Sequence, residues 1–367
     1  MMKLIFLTIL VLYNLSFAQA KITENFSKSD SSIIIKEVKL DSSFSQIKFF
    51  ENNFFCYKKN KITSLDFSGN EIWQHELIDS INSNFIIEEN KIVFLDSNND
   101  LICLDMKTGK VMQSLGIDVE GKAFLVSFDY MGNNELIIPK ETDSKKAILL
   151  FFDNGKLLCL DLETLQEYWR KDFQDVFVTN PTIFNNKIIV GMKSGFVNLI
   201  DANNGILLWK WKEKETFELS KTIFYSDTKS VYFLDGDGFL FSLNLLLGKL
   251  NWKIEQNKFI SLQMISDETK FLIAQKENFN IVQIDLASGK ILKEIKLDKS
   301  IQKKISYAFR RNAKLFLIAE NKILMQTKNT FIEYYSNKNL IVDYVITTDN
   351  KFFIKDSQNN FIELQLR

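Results

Sequence analysis

An aspartate, a glycine and a tryptophan recur along this chain at one spacing, and that recurrence limits the fold more than any other feature. The clearest copy runs from Pro181 to Trp211, PTIFNNKIIVGMKSGFVNLIDANNGILLWKW. Apolar segments 187–191 and 196–200 flank a turn at Met192–Gly195, which is a hairpin signal. Asp201 closes the second segment, Gly205 follows four residues on and Trp209 eight residues on. An Asp carboxylate can accept backbone N–H groups of the turn that follows it, and Gly can take a positive φ there without a Cβ penalty. The apolar segment after the glycine reads as a further strand, with Trp as its anchor. Other copies are Asp66–Gly69–Trp73, in a turn one residue shorter, Asp105–Gly109, Asn244–Gly248–Trp252 and Asp285–Gly289. Asp161 leads to Trp169, with Leu165 in the glycine place. The steps from Asp66 to Asp285 average about 44 residues, and that period with four strand-like segments per unit predicts a β-propeller. The fixed phase of Trp73, Trp169, Trp209 and Trp252 assigns them to packing between blades rather than to a carbohydrate- or base-stacking platform. Trp211, out of that phase, is expected to be the exposed one.

Blade arithmetic fixes the rest of the domain organisation. Residues 1–20 carry Lys3, an apolar run from Leu4 to Leu12 and Ala18-Gln19-Ala20, the pattern of a cleaved export signal. Residues 21–32 are polar and expected to be flexible, and 33–367 form the propeller. Repeats at 45–77, 85–115, 124–173, 178–212, 219–255 and 259–297 are followed by a degenerate seventh at 305–340. The chain then ends on three strands of an eighth. Ile33–Leu40 stands as a spare strand at the other end, so the expected fold is an all-β, eight-bladed propeller of four-stranded antiparallel blades, closed by the N-terminal strand. Closure of this kind leaves no open sheet edge around the circle. The third repeat is lengthened around Tyr130–Lys146, which reads as an exposed loop containing Pro139.

Chemistry is sparse. Lys plus Arg and Asp plus Glu number 46 each, so no net charge draws the chain to nucleic acid. No stretch after the first twenty residues is long and apolar enough for a membrane-spanning helix. The single histidine, His75, would have to carry any His-based zinc site or catalytic triad alone. Cys56, Cys103 and Cys159 read as packing thiols, with a Cys103–Cys159 bridge left open. Asp235-Gly-Asp-Gly238 lacks the further oxygen ligands of a calcium loop and reads as a β-turn. No catalytic, cofactor-binding or metal-binding residue is assigned, and no cofactor is expected.

The segments LIDANNGILLWKW, LDMKTGKVM and IDLASGKIL resemble the pyrroloquinoline-quinone-type propeller repeat, over about 40–367. Two groups with that repeat suit an exported chain. Resemblance to the quinone-dependent dehydrogenases would imply quinone and calcium in a central funnel, but the adjacent cysteine pair of those enzymes is missing. Resemblance to the BamB family implies a non-enzymatic periplasmic scaffold whose rim loops dock onto a BamA-like barrel insertase, associated with the outer membrane through partners and monomeric within a complex. A third reading is an exported propeller that binds some other protein or ligand. The lipid-acceptor cysteine of the BamB family is absent after the signal. The 124–150 excursion and the Phe173–Asn180 loop, with Phe177 and Val178 among polar neighbours, are the expected docking places.

Overall fold

The second and third strands of every repeat are short apolar runs, and runs of that kind demand burial on both faces. A computed structural model describes residues 34–131, 145–214, 217–219, 222–265, 271–328, 330–346 and 351–365. They form eight four-stranded antiparallel sheets, and the fold class is an all-β, eight-bladed propeller. Lys91–Leu95 is buried at every position and Val197–Asp201 at all but the last. The fourth strands, such as Leu207–Trp211, are mostly exposed or half-buried. In each sheet the first-to-fourth order follows the chain in all but one case. The signal expected over 1–20 and the polar segment 21–32 lie outside the described residues.

The chain divides into two compact units, one running to Ser114 and resuming at Asp343–Gln365, the other Leu115–Val342. In the first unit the exceptional sheet is closed by the chain's N-terminal strand. Ile34–Lys39 pairs antiparallel with Asn360–Leu364, with Val38 opposite Phe361 and Lys39 opposite Asn360. Val38, Leu40 and Phe44 are buried with Phe49, Phe54, Phe353 and Phe361 in one apolar cluster. The spare strand is therefore the outer strand of the last blade, as the strand arithmetic requires.

The second unit holds the blades at 123–172, 182–211, 225–254, 259–295 and 305–336. Aromatic rings fill the space between neighbouring sheets: Phe233, Phe241, Phe217 and Phe224 share one cluster with Leu199 and Val231. The third repeat departs from expectation at its excursion. Ala123–Tyr130 and Lys145–Phe152 pair throughout, up to Tyr130 opposite Lys145, so both ends of the excursion are strand. The remainder, with Pro139, lies outside the described residues.

Candidate functional site

Each motif aspartate serves the turn that follows it. Asp105 Oδ1 accepts Thr108 N–H at 2.7 Å and Lys107 N–H at 3.1 Å. Asp161 accepts Thr164 N–H at 2.6 Å, Asp201 accepts Asn203 N–H at 2.9 Å and Asp285 accepts Ser288 N–H at 2.8 Å. Asp66 does the same for Ser68 and Asn70 at 2.7 and 2.8 Å. Asn244 offers an amide oxygen instead, to Leu246 N–H and Leu247 N–H at 3.0 and 2.9 Å. The Thr108 hydroxyl and the Ser288 hydroxyl hold the carboxyls of Asp105 and Asp285 below the usual carboxylate range. These oxygens are committed to backbone donors, which is a structural occupation.

The tryptophans reach forward to the next blade. Trp73 Nε1–H donates to Met106 O at 3.0 Å, Trp169 to Ala202 O at 3.1 Å, Trp209 to Leu245 O at 2.8 Å and Trp252 to Leu286 O at 3.0 Å. Every acceptor is the residue just after the motif Asp or Asn. Gly109, Gly205, Gly248 and Gly289 lie beneath these rings; a Cβ on Gly205 would stand 2.6 Å from Trp169. Gly205 also has φ of 68°, so the position needs glycine for its backbone and for its neighbour. Leu165 adopts φ of 57° in the same turn and closes it with the same N–H to Asp161 O, at 3.0 Å.

Two lysines that sequence reasoning passed over do the work of the missing tryptophans. Lys293 Nζ donates to Lys328 O at 2.7 Å, and Lys36 Nζ donates to Phe67 O at 3.2 Å while lying 4.0 Å above the Phe67 ring. Phe67 is the residue after Asp66, so the acceptor is the one the tryptophans use. The first unit also encloses charge on and beside its inner strands. Burial draws Lys48 and Lys355 down to about 8 and pushes Asp343 up to about 6, with the lysines and the carboxylate attracting one another.

The cavity that stands apart from this packing lies in the second unit. It encloses about 630 Å³ and is lined by the Asp235–Gly238 turn, Lys258–Gln263, Glu277 and Lys304–Ser306, with Thr222, Ile223 and Tyr225. Its walls are braced across blades: Tyr225 OH donates to Leu262 O at 3.0 Å, and Gln263 Nε2–H donates to Ser306 O at 2.8 Å. Asp235 is a turn residue, as expected: Gly238 N–H donates to its carbonyl at 3.1 Å and Phe239 N–H to its carboxylate at 2.8 Å. Burial raises its carboxyl above the usual range. Asp237 pairs with Lys214 at 3.0 Å. Ile223 is 58% exposed at the cleft. Mixed charge, backbone groups and one exposed aliphatic side chain suit a peptide segment better than a small apolar molecule.

Two expectations about exposed aromatics are corrected. Phe177 meets Phe151 and Phe173 edge-on at 5.5 and 5.8 Å, and Val178 packs into the next cluster. The Phe173–Asn180 loop thus turns its apolar residues inward, because they cover the gap between two sheets. Trp211 is half-buried against Phe217 and Phe241, both at 5.5 Å, since it lies two residues from Trp209 on the same strand face. His75 is half-buried on an outer strand, and burial lowers its pKa. All three cysteines are buried and none is in a disulfide, and burial raises the thiols of Cys56 and Cys159. Among the described residues no group of three His, Cys, Asp or Glu is placed to hold a metal, and no helix is long and apolar enough to cross a membrane.

Comparison with known proteins gives BamB in sequence, and both BamB and a quinohemoprotein dehydrogenase in fold. A family model described as outer membrane protein assembly factor BamB matches residues 142–264. BamB of Legionella pneumophila is 28% identical over 117 residues, which is 29% of this chain and 29% of that protein. The aligned part therefore spans under a third of that curated relative. Crystal structures extend the likeness in fold. BamB from Moraxella catarrhalis superposes with a TM-score of 0.64 at 13% identity, over 91% of this chain and 99% of that one. Quinohemoprotein alcohol dehydrogenase from Comamonas testosteroni gives 0.58 at 10% identity, over 89% of this chain and 76% of that one. The chain is a propeller of pyrroloquinoline-quinone-type repeats that resembles BamB.

Proposed function

We propose that this chain is a non-enzymatic, BamB-like scaffold of the periplasm that assists the assembly of β-barrel proteins into the outer membrane. The observation that carries the reading is the double likeness to BamB. The family model covers the blade at 225–254 and the first strand of the next, which supply part of the cleft wall, and the fold follows a solved BamB along 99% of that chain. The cleft supports it chemically. A turn of two aspartates, two lysine-bearing strand starts and exposed Ile223 offer charge, hydrogen bonds and one apolar contact to an extended segment of a partner. The partner on this reading is a BamA-like barrel insertase, which ties the scaffold to the outer membrane.

The test is isolation of the full chain from its native envelope under mild conditions, with identification of whatever accompanies it. The expected companion is the barrel insertase. Ile223→Glu combined with Lys258→Glu should reduce its recovery at least about tenfold, because both changes fall in the cleft. A chain that carries a stoichiometric quinone chromophore and oxidises alcohols, without such a partner, would overturn the reading in favour of the dehydrogenases.

A further inference from the structure

The repeats supply an internal standard for what the turn between the third and fourth strands requires. Its second and third residues after the Asp are Lys107-Thr108, Glu163-Thr164, Asn203-Asn204 and Ala287-Ser288 in four blades. In the blade at 225–254 they are Leu246 and Leu247, which are 75% and 64% exposed. Asn244 fixes the backbone of both, so the pair projects from a rigid turn. Both side chains stand out from the buried clusters, and a turn of this geometry forms with no large apolar residue at these two places in four other blades. Packing and turn formation therefore do not account for the leucines.

The surroundings say what does. Trp209 donates to Leu245 O and lies over Gly248, which brings the outer strand with exposed Leu207 and Leu208 beside the leucine turn. Trp252 makes the same contact with the next turn, whose following strand carries exposed Ile291 and Leu292. Leu250 is exposed between them. An apolar band so runs along the outer strands of three consecutive blades. Lysines border it. Lys229 O accepts Leu245 N–H at 2.8 Å, which sets Lys229 beside the leucines; Lys249 and Lys290 follow the turn glycines. Lys229 and Lys249 form no ion pair with a described residue, and Lys290 stands near enough to the Asp285 carboxylate to help hold its pKa down. The nearby acids are engaged: Asp227 accepts Lys229 N–H, Ser230 N–H and Tyr232 OH, and Asp285 accepts Ser288.

We infer that this rim rests on an anionic lipid surface, with Leu246 and Leu247 inserted at the headgroup boundary and Lys229, Lys249 and Lys290 against the headgroups. Exposed leucines on a fixed turn, an adjoining apolar band and bordering lysines match a fluid negative interface, which needs no pocket to receive them. The rim is distinct from the cleft. Strand Leu240–Asn244 begins just past the Asp235–Gly238 turn and ends at the leucine turn, so the two sites lie at opposite ends of one blade. A propeller held this way would keep its cleft directed at a partner while its other end touches the bilayer.

The test is sedimentation of the full chain with vesicles of phosphatidylcholine alone and of phosphatidylcholine mixed with phosphatidylglycerol. Binding to the mixed vesicles is expected, weakening as salt rises. The variant Leu246→Asn with Leu247→Asn installs the pair that the preceding blade already carries in this turn, so it keeps the fold. It should bind at least about tenfold more weakly. Lys229→Gln, Lys249→Gln and Lys290→Gln together should abolish the preference for the mixed vesicles, and Ile223→Glu should leave it unchanged. Equal vesicle binding by the asparagine variant and the native chain would overturn the inference. So would failure of the native chain to bind, whether or not the leucines then prove to mediate self-association in analytical ultracentrifugation or contact with a protein.

Discussion

Replacing Trp209 by alanine removes two things at once: the ring that spans the gap to the next blade, and the N–H bond to Leu245 O at 2.8 Å. The ring is half-buried, so the loss belongs in the lower part of the range for truncating a large aromatic, about 2–4 kcal/mol. The hydrogen bond accounts for about 1 kcal/mol of that, which Trp209→Phe should lose while keeping most of the packing. Gly248 supplies a sharper arm. An alanine there would place its Cβ 2.6 Å from the Trp209 ring at a φ of 62°. The backbone part costs about 1 kcal/mol and persists in any background. The overlap vanishes once Trp209 is alanine, so the two substitutions should be coupled by about 1–2 kcal/mol. Urea denaturation followed by circular dichroism, on both single variants and the double, measures this directly. A neutral Trp209→Ala, or strict additivity with Gly248→Ala, would refute the reading of the motif as an interlock between blades.

Lys36→Met keeps the aliphatic stem but loses the bond to Phe67 O and the contact with its ring; a destabilisation of about 1 kcal/mol is expected in the same urea assay. Deleting Ile34–Lys39 strips the last blade of its outer strand and bares the edge at Asn360–Leu364, so the amides of that strand should lose hydrogen-exchange protection while those of Ser230–Leu234 keep theirs. Asp343 titrates at about 6 in the fold and near 4 in an unfolded chain, so between those values the folded state holds a proton the unfolded state has released. Its contribution to stability is therefore complete below about pH 4 and is lost as pH rises through about 6, by roughly 1–3 kcal/mol, and the difference between native and Asp343→Asn denaturation midpoints across that window should show it.

The propeller was legible because its repeat residues have few substitutes. Asp201 must present an acceptor to the next turn, Gly205 must lack a Cβ, and Trp209 must be long enough to cross to the next sheet. The closing strand was legible by counting, since three strands at one end and one at the other leave a single economical pairing. Lys36 and Lys293 were not legible, because a lysine on an outer strand has the look of any solvated charge; only the carbonyl it reaches reveals the role. Trp211 was misjudged by reading phase against the next turn alone. Strand alternation places it on the same face as Trp209, and Phe217 and Phe241 meet it there. Phe177 was misjudged because polar neighbours in sequence say little about a residue that covers the gap between two sheets.

The candidate sites were harder to see for a different reason, and the two differ. The cleft is assembled from a turn at 235–238, a strand start at 258–263 and another at 304–306. Each of these is an ordinary element of its own blade, so no local pattern marks them as neighbours. The leucine turn sits inside the repeat itself, where the other blades show what packing alone demands. Asn244, Gly248 and Trp252 keep their roles in turn closure and blade contact, whereas Leu246 and Leu247 answer to neither. In a repeat protein the conserved positions of the motif report the frame, because every blade must satisfy the same contacts with its neighbours. A function specific to one blade has to appear as a departure at a position the frame leaves free, and two rigidly held, exposed leucines at such a position are a departure of that kind.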